Sequence, residues 1–409
     1  MASSVLSHYL RPGDRIVLGQ ATGEPVGLVA ELFEIAPSLG TVDVFCGLSL
    51  NTAWGGPVPD AIRVTTYCGL GSIRRLVAGG RARVVPASLS QLSSFFVSRR
   101  LPADVVMLQV SPADANGYHS LGCTLDYVWE AAEKARTILV EVNANLPITR
   151  GNGRLHRGNI VVARESEAPL LESVAEKPAA IQRQIGRQVA RLIPDGATVQ
   201  LGIGGLATAV AEAITSRRGL KVRSGMVGDW FLDLWESGAI DTTISDACLT
   251  SLAVGSQRLY DFLTCEDILG FALPSQLVVP IPGSPMMAIN SAIEVDLCGQ
   301  VNAEFVGERY VGAVGGQTDY FSAARRSEGG LAILTLPATT SDNQSRIVQR
   351  CSYVTTPQSE VDVIVTEHGV ADIRVTTLNE RNALISGIAA PQHRDALLAG
   401  EYANEGHMI

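Results

Sequence analysis

The chain reads as an α/β protein made of two similar open-sheet α/β domains. Three observations predict this: a strand–glycine turn–helix unit at residues 194–214, an echo of that unit near residue 11, and further apolar strands separated by helical patterns in both halves. In the clearer copy Pro194-Asp195-Gly196 is a turn and 197–201 is apolar and β-branched. Gly202-Ile203-Gly204-Gly205 follows, and 206–214 carries strong helix formers on a helical period. Glycines at such a turn let the backbone come close to a ligand, and the free N–H groups of the next helix favour an anion or oxyanion. Neither a P-loop nor the dinucleotide fingerprint fits the spacing.

The first copy opens with Arg11-Pro12-Gly13-Asp14, a turn, then a strand at 15–18, a loop at 19–25 and a helix at 26–33. Both helices carry Val-Ala-Glu, as Val29-Ala30-Glu31 and Val210-Ala211-Glu212. Strands are expected at 41–45, 61–67 and 81–85, and a helix at 88–97. Residues 104–110 have a central-strand pattern, 127–135 is helical, and 137–142 is a strand ending in Asn143. The acidic, proline-flanked stretch 165–178 is the expected linker, dividing a domain at 1–178 from one at 179–409. An amphipathic helix at 179–192 leads into the second copy. Residues 359–366 then answer the 104–110 strand and deliver Glu367 and His368 into a turn. Strands separated by helices make a mostly parallel sheet, with ligands at the carboxyl ends of its strands.

Composition narrows the class. A length of 409 residues calls for two or three domains, and 46% apolar with 18% charged residues describes a well-buried globular chain. The net charge of −9, with no Lys/Arg block, argues against a nucleic-acid partner; an anionic cofactor would need a local positive field. The opening MASSVLSHYLRPGDR lacks the apolar core of a signal peptide, and no apolar run reaches membrane-spanning length. Seven scattered cysteines with no C-x-x-C point to reduced thiols in a cytoplasmic protein. The histidines show no metal spacing, so no metal is expected. No G-x-S-x-G elbow occurs.

Two features could carry chemistry. Gly315-Gly316, within Val314-Gly315-Gly316-Gln317-Thr318-Asp319-Tyr320, either brings N–H groups to a carbonyl as an oxyanion hole or is an ordinary turn. Glu367, beside His368 at a strand end, is either a general base or a salt-bridged structural carboxylate. His119 has the same two readings.

These stretches, taken in order, resemble the acetyl-CoA hydrolase/transferase family of class I CoA-transferases, especially its 4-hydroxybutyrate and butyrate CoA-transferase branch. Gly19-Gln20-Ala21-Thr22-Gly23-Glu24-Pro25 is similar to that branch's Gly-His-Ala-x-Gly-Glu-Pro loop. Further matches are Val110 to Tyr118, Glu141-Val142-Asn143-Ala144-Asn145-Leu146-Pro147, Gln200-Leu201-Gly202-Ile203-Gly204 and Ile289-Asn290-Ser291-Ala292-Ile293-Glu294-Val295-Asp296. Gly315-Gly316-Gln317-Thr318-Asp319, Ser345-Arg346-Ile347-Val348 and Val365-Thr366-Glu367-His368-Gly369-Val370-Ala371 complete the series.

The resemblance implies two domains of the NagB/RpiA/CoA-transferase-like fold, with the acyl group in the cleft between them. It implies coenzyme A, as acyl-CoA, held by Gly202, Ile203, Gly204, Gly205, Gly315, Gly316 and Gln317. The acyl pocket would draw on Gln20, Gly23, Glu24, Trp230 and Ser275. The second substrate would be a small carboxylic acid or another acyl acceptor, and the assembly a homodimer or higher homo-oligomer. Family enzymes use a glutamate that takes the acyl group, then CoA, as a glutamyl thioester.

That glutamate lies in a His/Trp-Thr/Ser-Glu-Met-x-Ser-Asp-Gly segment, which corresponds here to Val222-Arg223-Ser224-Gly225-Met226-Val227-Gly228-Asp229-Trp230. Gly225 stands at the nucleophile's place and cannot be acylated. Another carboxylate (Asp229, Glu24 or Glu367) could take over, or the thioester site could work without an enzyme–CoA thioester; the second reading is preferred. The default function is therefore acyl transfer or hydrolysis on an acyl-CoA, with Glu367, Asp229 and His368 as candidate catalytic groups. The alternatives are carbon–carbon cleavage or condensation on a CoA ester, and a non-catalytic CoA-binding subunit.

Overall fold

The computed structural model describes residues 4–399; the outermost ends of the two expected domains, 1–3 and 400–409, lie outside the described residues. The first half builds a parallel sheet from β1 (Arg15–Leu18), β2 (Val42–Phe45), β3 (Ile62–Thr66), β4 (Ala82–Val84), β5 (Val105–Val110), β6 (Thr137–Asn143) and β7 (Val161–Ser166). Its order is β7-β6-β5-β1-β2-β3-β4. Helices α1 (Val26–Leu39), α2 (Leu89–Val97) and α3 (Tyr127–Lys134) connect these strands.

The second half repeats the pattern. After α4 (Ala180–Ala190) come β8 (Thr198–Leu201), α5 (Gly205–Ala213), β9 (Lys221–Ser224), α6 (Trp230–Glu236), β10 (Cys248–Thr250), β11 (Leu269–Phe271) and β12 (Met286–Ser291). Helix α7 (Gln317–Arg326), β13 (Leu331–Thr335), β14 (Val363–Thr366) and β15 (Gly369–Asp372) follow. The sheet order is β15-β14-β13-β12-β8-β9-β10-β11, with the two-residue strand Arg150–Gly151 from the first half added beside β11. Without β15, which pairs antiparallel, the two halves share one strand order. The fold is the expected pair of open-sheet α/β units.

Local chemistry explains the elements. β5, β8 and β13 are buried at every position; β5 and β13 accordingly read as nearly continuous apolar runs, while β8 buries Thr198 and Gln200 beside its apolar residues. α4 and α5 pack tightly because residue 186 is glycine: a Cβ there would stand 2.4 Å from the Ala209 carbonyl oxygen. α1 runs on to Leu39, past the expected end at 33, with Pro37 in its last turn.

The expected linker is not a free tether. Residues 165–166 belong to β7, Asn143 and Asn145 of the first half hold 167–168, and from Leu171 the stretch reaches the second half. There the Tyr260 hydroxyl donates to the Leu171 carbonyl at 2.8 Å and the Ser173 N–H to that of Gly255 at 3.0 Å. One apolar core, running from Val17 and Val106 to Val199 and Ile333, joins the sheets.

Candidate active site

In both sheets the chain reverses direction of winding beside the first strand of the half: between β1 and β5, and between β8 and β12. Crevices open at such switch points. Here the two crevices face one another. Backbone bonds pin their loops together, from Leu125 N–H to the Ser251 carbonyl at 2.7 Å, Gly69 N–H to Gly312 at 2.7 Å and Leu89 N–H to Gly315 at 3.0 Å. The result is a cleft of about 220 Å³ with a mostly apolar lining.

The first half lines it with Gln20 after β1, Tyr67 and Leu70 after β3, Leu89 at the start of α2 and Asp126 at the start of α3. The second half supplies Gly202 and Ile203 after β8, Gly225 and Met226 after β9, and Gly315, Gly316 and Tyr320 around the start of α7. Gln200 and Asn290 stand side by side, with Asn290 Nδ2 donating to Gln200 Oε1 at 2.8 Å. Both glycine loops precede a helix whose first N–H groups have no partner within the helix. Gly204 and Gly315 have φ of +94° and +59°, which favours glycine at each.

Gly225 thus lies on the cleft wall. A Cβ added there would meet Tyr320 Oη at 3.2 Å and Leu89 Cδ1 at 3.3 Å. The tyrosine ring and the leucine occupy the ground in front of it. Facing them is a polar floor. Gln20 Oε1 accepts from Leu48 N–H at 2.9 Å and Tyr67 Oη at 3.0 Å, which turns its amide nitrogen onto Asp126 Oδ2. The other oxygen of Asp126 caps α3 by accepting from Val128 N–H at 3.1 Å. Burial raises the Asp126 carboxyl to about 6, against the opposing pull of the Gln20 bond.

The structure brings together Gln20, Gly202, Ile203, Gly225, Gly315 and Gly316 from the expected set. Gly204, Gly205, Asp229 and Trp230 line a neighbouring cavity that shares Ile203 with the cleft. Trp230 Nε1 donates to the Gly202 carbonyl at 2.9 Å, bracing the glycine loop from behind. Asp229 accepts from the N–H and Oγ of Ser256, each at 3.0 Å. Gln317 is buried and donates to Thr356 Oγ1 at 3.0 Å.

Other expected residues lie off the cleft. Glu24 is enclosed by donors from Ser49, Asn51 and Trp54 at 2.6, 3.0 and 2.7 Å, and burial raises its carboxyl. Gly23 lets Thr124 approach, since a Cβ would stand 2.4 Å from its Oγ1. Glu367 Oε2 accepts from Ala338 N–H at 2.9 Å, and Oε1 lies 3.7 Å from His368 Nε2; neither residue is on the cleft wall. Ser275 is exposed on the short helix Pro274–Leu277, and His119 is buried against the Ser111 carbonyl. Sequence reasoning missed Asp126, Tyr67, Gln200, Asn290 and Tyr320. An Asp placed just before the expected helix at 127–135 was the available signal, and it announced only a helix cap.

Among the described residues, no group of three or more His, Cys, Asp or Glu side chains is placed to hold a metal, and no helix is long and apolar enough to cross a membrane.

Duplicated open sheets close on one apolar, glycine-walled cleft, which makes this a two-unit α/β protein whose halves both line the cleft. The N-terminal domain model of the acetyl-CoA hydrolase/transferase family matches residues 2–180, and its C-terminal domain model matches 255–400. The chain is 34% identical to a 4-hydroxybutyrate coenzyme A transferase of Clostridium kluyveri over 94% of this chain and 92% of that one. It is 30% identical to a succinyl-CoA:acetate/propanoyl-CoA:succinate CoA transferase of Fasciola hepatica, over 95% and 84%. Among solved structures, RipA from Yersinia pestis superposes with a TM-score of 0.87 at 26% identity, over 95% of this chain and 94% of that one. The chain belongs to the acetyl-CoA hydrolase/transferase family, and its activity is of the CoA-transferase or acyl-CoA hydrolase kind.

Proposed function

We propose that the cleft between the two sheets binds the acyl-CoA thioester and that no glutamyl–CoA intermediate forms at its wall. One observation supports this reading: Gly225, which we align with the family nucleophile, lines the cleft and has Tyr320 and Leu89 packed before it. Glycine offers nothing to acylate, so the acyl group passes to water, giving free acid and CoA thiol, or to an acceptor acid as a mixed anhydride that the released CoA thiolate then opens, without resting on residue 225. The Gly202 and Gly315–Gly316 loops face the thioester, and their N–H groups favour the oxyanion that forms at its carbonyl. The apolar lining excludes water from the acyl chain and strengthens those bonds. We take 1–178 and 179–409 as the working division of the two units.

Thiol release from a panel of short-chain acyl-CoAs, with and without acetate or succinate, tests the reading. Release that proceeds without added acid supports it. Acyl-CoA consumption that strictly requires the acid, forms the acid's CoA thioester in place of free thiol and follows ping-pong kinetics contradicts it, and no consumption of any acyl-CoA that binds would leave only a CoA-binding role.

A further inference from the structure

Among the described residues, the cleft lining contains one carboxylic acid, Asp126. It comes from the first half, whereas the vacant position 225 belongs to the second. Its surroundings fit a proton carrier better than a structural cap. Two donors, Gln20 Nε2 and Val128 N–H, hold the carboxylate in one orientation while each oxygen keeps a second lone pair. The Leu48 N–H, which can only donate, fixes the Gln20 amide with its oxygen toward Leu48, and Tyr67 Oη donates to the same oxygen. An acid this enclosed, yet on the wall of the cleft, has no ion-pair partner among the described residues.

We infer that Asp126 is the general base of this cleft and that water is the acyl acceptor it serves, an inference that rests on the thioester lying in the same cleft. Asp126 takes a proton from water as the water oxygen bonds to the thioester carbon. The carbonyl π electrons move to the oxygen, where the glycine-loop N–H groups receive them. As the carbonyl re-forms, the C–S bond breaks and its electron pair leaves with sulfur. Asp126 returns its proton to that thiolate, so the products are a free acid and CoA thiol. No electron is gained or lost, and no residue is acylated.

The ionisation of Asp126 should then appear in the rate. Its titratable neighbours are Tyr67 from the loop after β3, Tyr127 and Glu130 on its own helix, and Cys46 and Cys68 near the two tyrosines. Tyr320 comes from the opposite wall. Burial holds the tyrosine and cysteine groups above their ordinary values, so they stay neutral at pH 7. Glu130, raised by burial to about 7, needs its own control.

The experiment is kcat and KM for acyl-CoA hydrolysis between pH 5 and 9. It compares the full-length chain with Asp126→Asn, Gln20→Leu and Glu130→Gln. Asparagine caps helices as well as aspartate, so the fold should survive. The expected result is that kcat rises through a limb near the carboxyl's value of about 6. Asp126→Asn should lower kcat by about 100-fold or more and abolish the limb, with KM changed by less than about threefold. Gln20→Leu should move the limb upward, a change that a merely structural amide would not make. Glu130→Gln should leave it in place. Asp126→Asn within about threefold of the parent with the same limb overturns the inference alone. If that variant misfolds, an unmoved limb in Gln20→Leu overturns it instead. A parent chain that turns over no acyl-CoA overturns the thioester reading beneath it.

Discussion

At the scale of residues, burial sorts the acids of the chain into different tasks. Glu24 has three donors around its carboxylate and Asp229 has Ser256, so both tie loops together. Glu130 is the opposite case: it is buried, its Oε2 has no hydrogen-bond partner, and burial raises it to about 7. A carboxyl with a raised folded-state value adds nothing below its unfolded value and costs stability as pH rises toward the folded one. From an ordinary 4.5 to about 7 the cost is on the order of 3 kcal/mol. Glu130→Gln should therefore unfold at higher urea than the parent at pH 8, and the difference should vanish near pH 4.5. Equal midpoints at pH 8 would show that Glu130 is solvated. None of this sorting could be read from the sequence, because Glu24, Glu130, Asp126 and Glu367 look alike until their neighbours are known. Gly225 was legible from its neighbours in the chain, whereas Asp126 depended on a fold that brings two distant loops to one cleft.

At the scale of elements, the joint between α2 and α7 matters most for the cleft. Ser88 caps α2 in a capping box with Gln91, and its Oγ also donates to Asp319 Oδ1 at 3.0 Å. Ser90 donates to the same carboxylate through its N–H at 3.0 Å and its Oγ at 2.5 Å. Asp319 thus clips the Leu89 side of the cleft to the Gly315–Gly316 side. Ser88→Ala removes the cap and one strut, so stability should fall by about 1 kcal/mol and KM for acyl-CoA should rise. Unchanged urea midpoint and KM would mean that Ser90 suffices. The strand–glycine–helix units at 15–39 and 198–213 were plain from turn residues and periodicity, because those signals are local. The strand Arg150–Gly151 was not, since two residues carry no period and their partner, β11, lies far along the chain.

At the scale of the molecule, duplication sets the architecture and both copies line the cleft. The repeated Val-Ala-Glu helices pointed to the duplication, and the shared strand order shows how far it extends. What sequence patterning could not reveal is how firmly the halves are joined. Gly151, at φ +132°, lets Phe271 come so near that a Cβ would lie 2.1 Å from its carbonyl oxygen, and the apolar core is continuous between the sheets. Residues 1–178 expressed alone should therefore show broadened amide signals and rapid hydrogen exchange, with protection restored on mixing with 179–409. Full protection of the isolated half would show that the halves fold independently.

The cleft joins these three scales, and what happens to the acyl group inside it can be observed directly. The chain is incubated with acyl-CoA and treated with borohydride, which reduces an enzyme-bound glutamyl thioester to an alcohol, and its peptides are mapped by mass spectrometry. Every glutamate should return unmodified while free acid and CoA accumulate; a reduced glutamyl residue at any position would contradict the proposed chemistry.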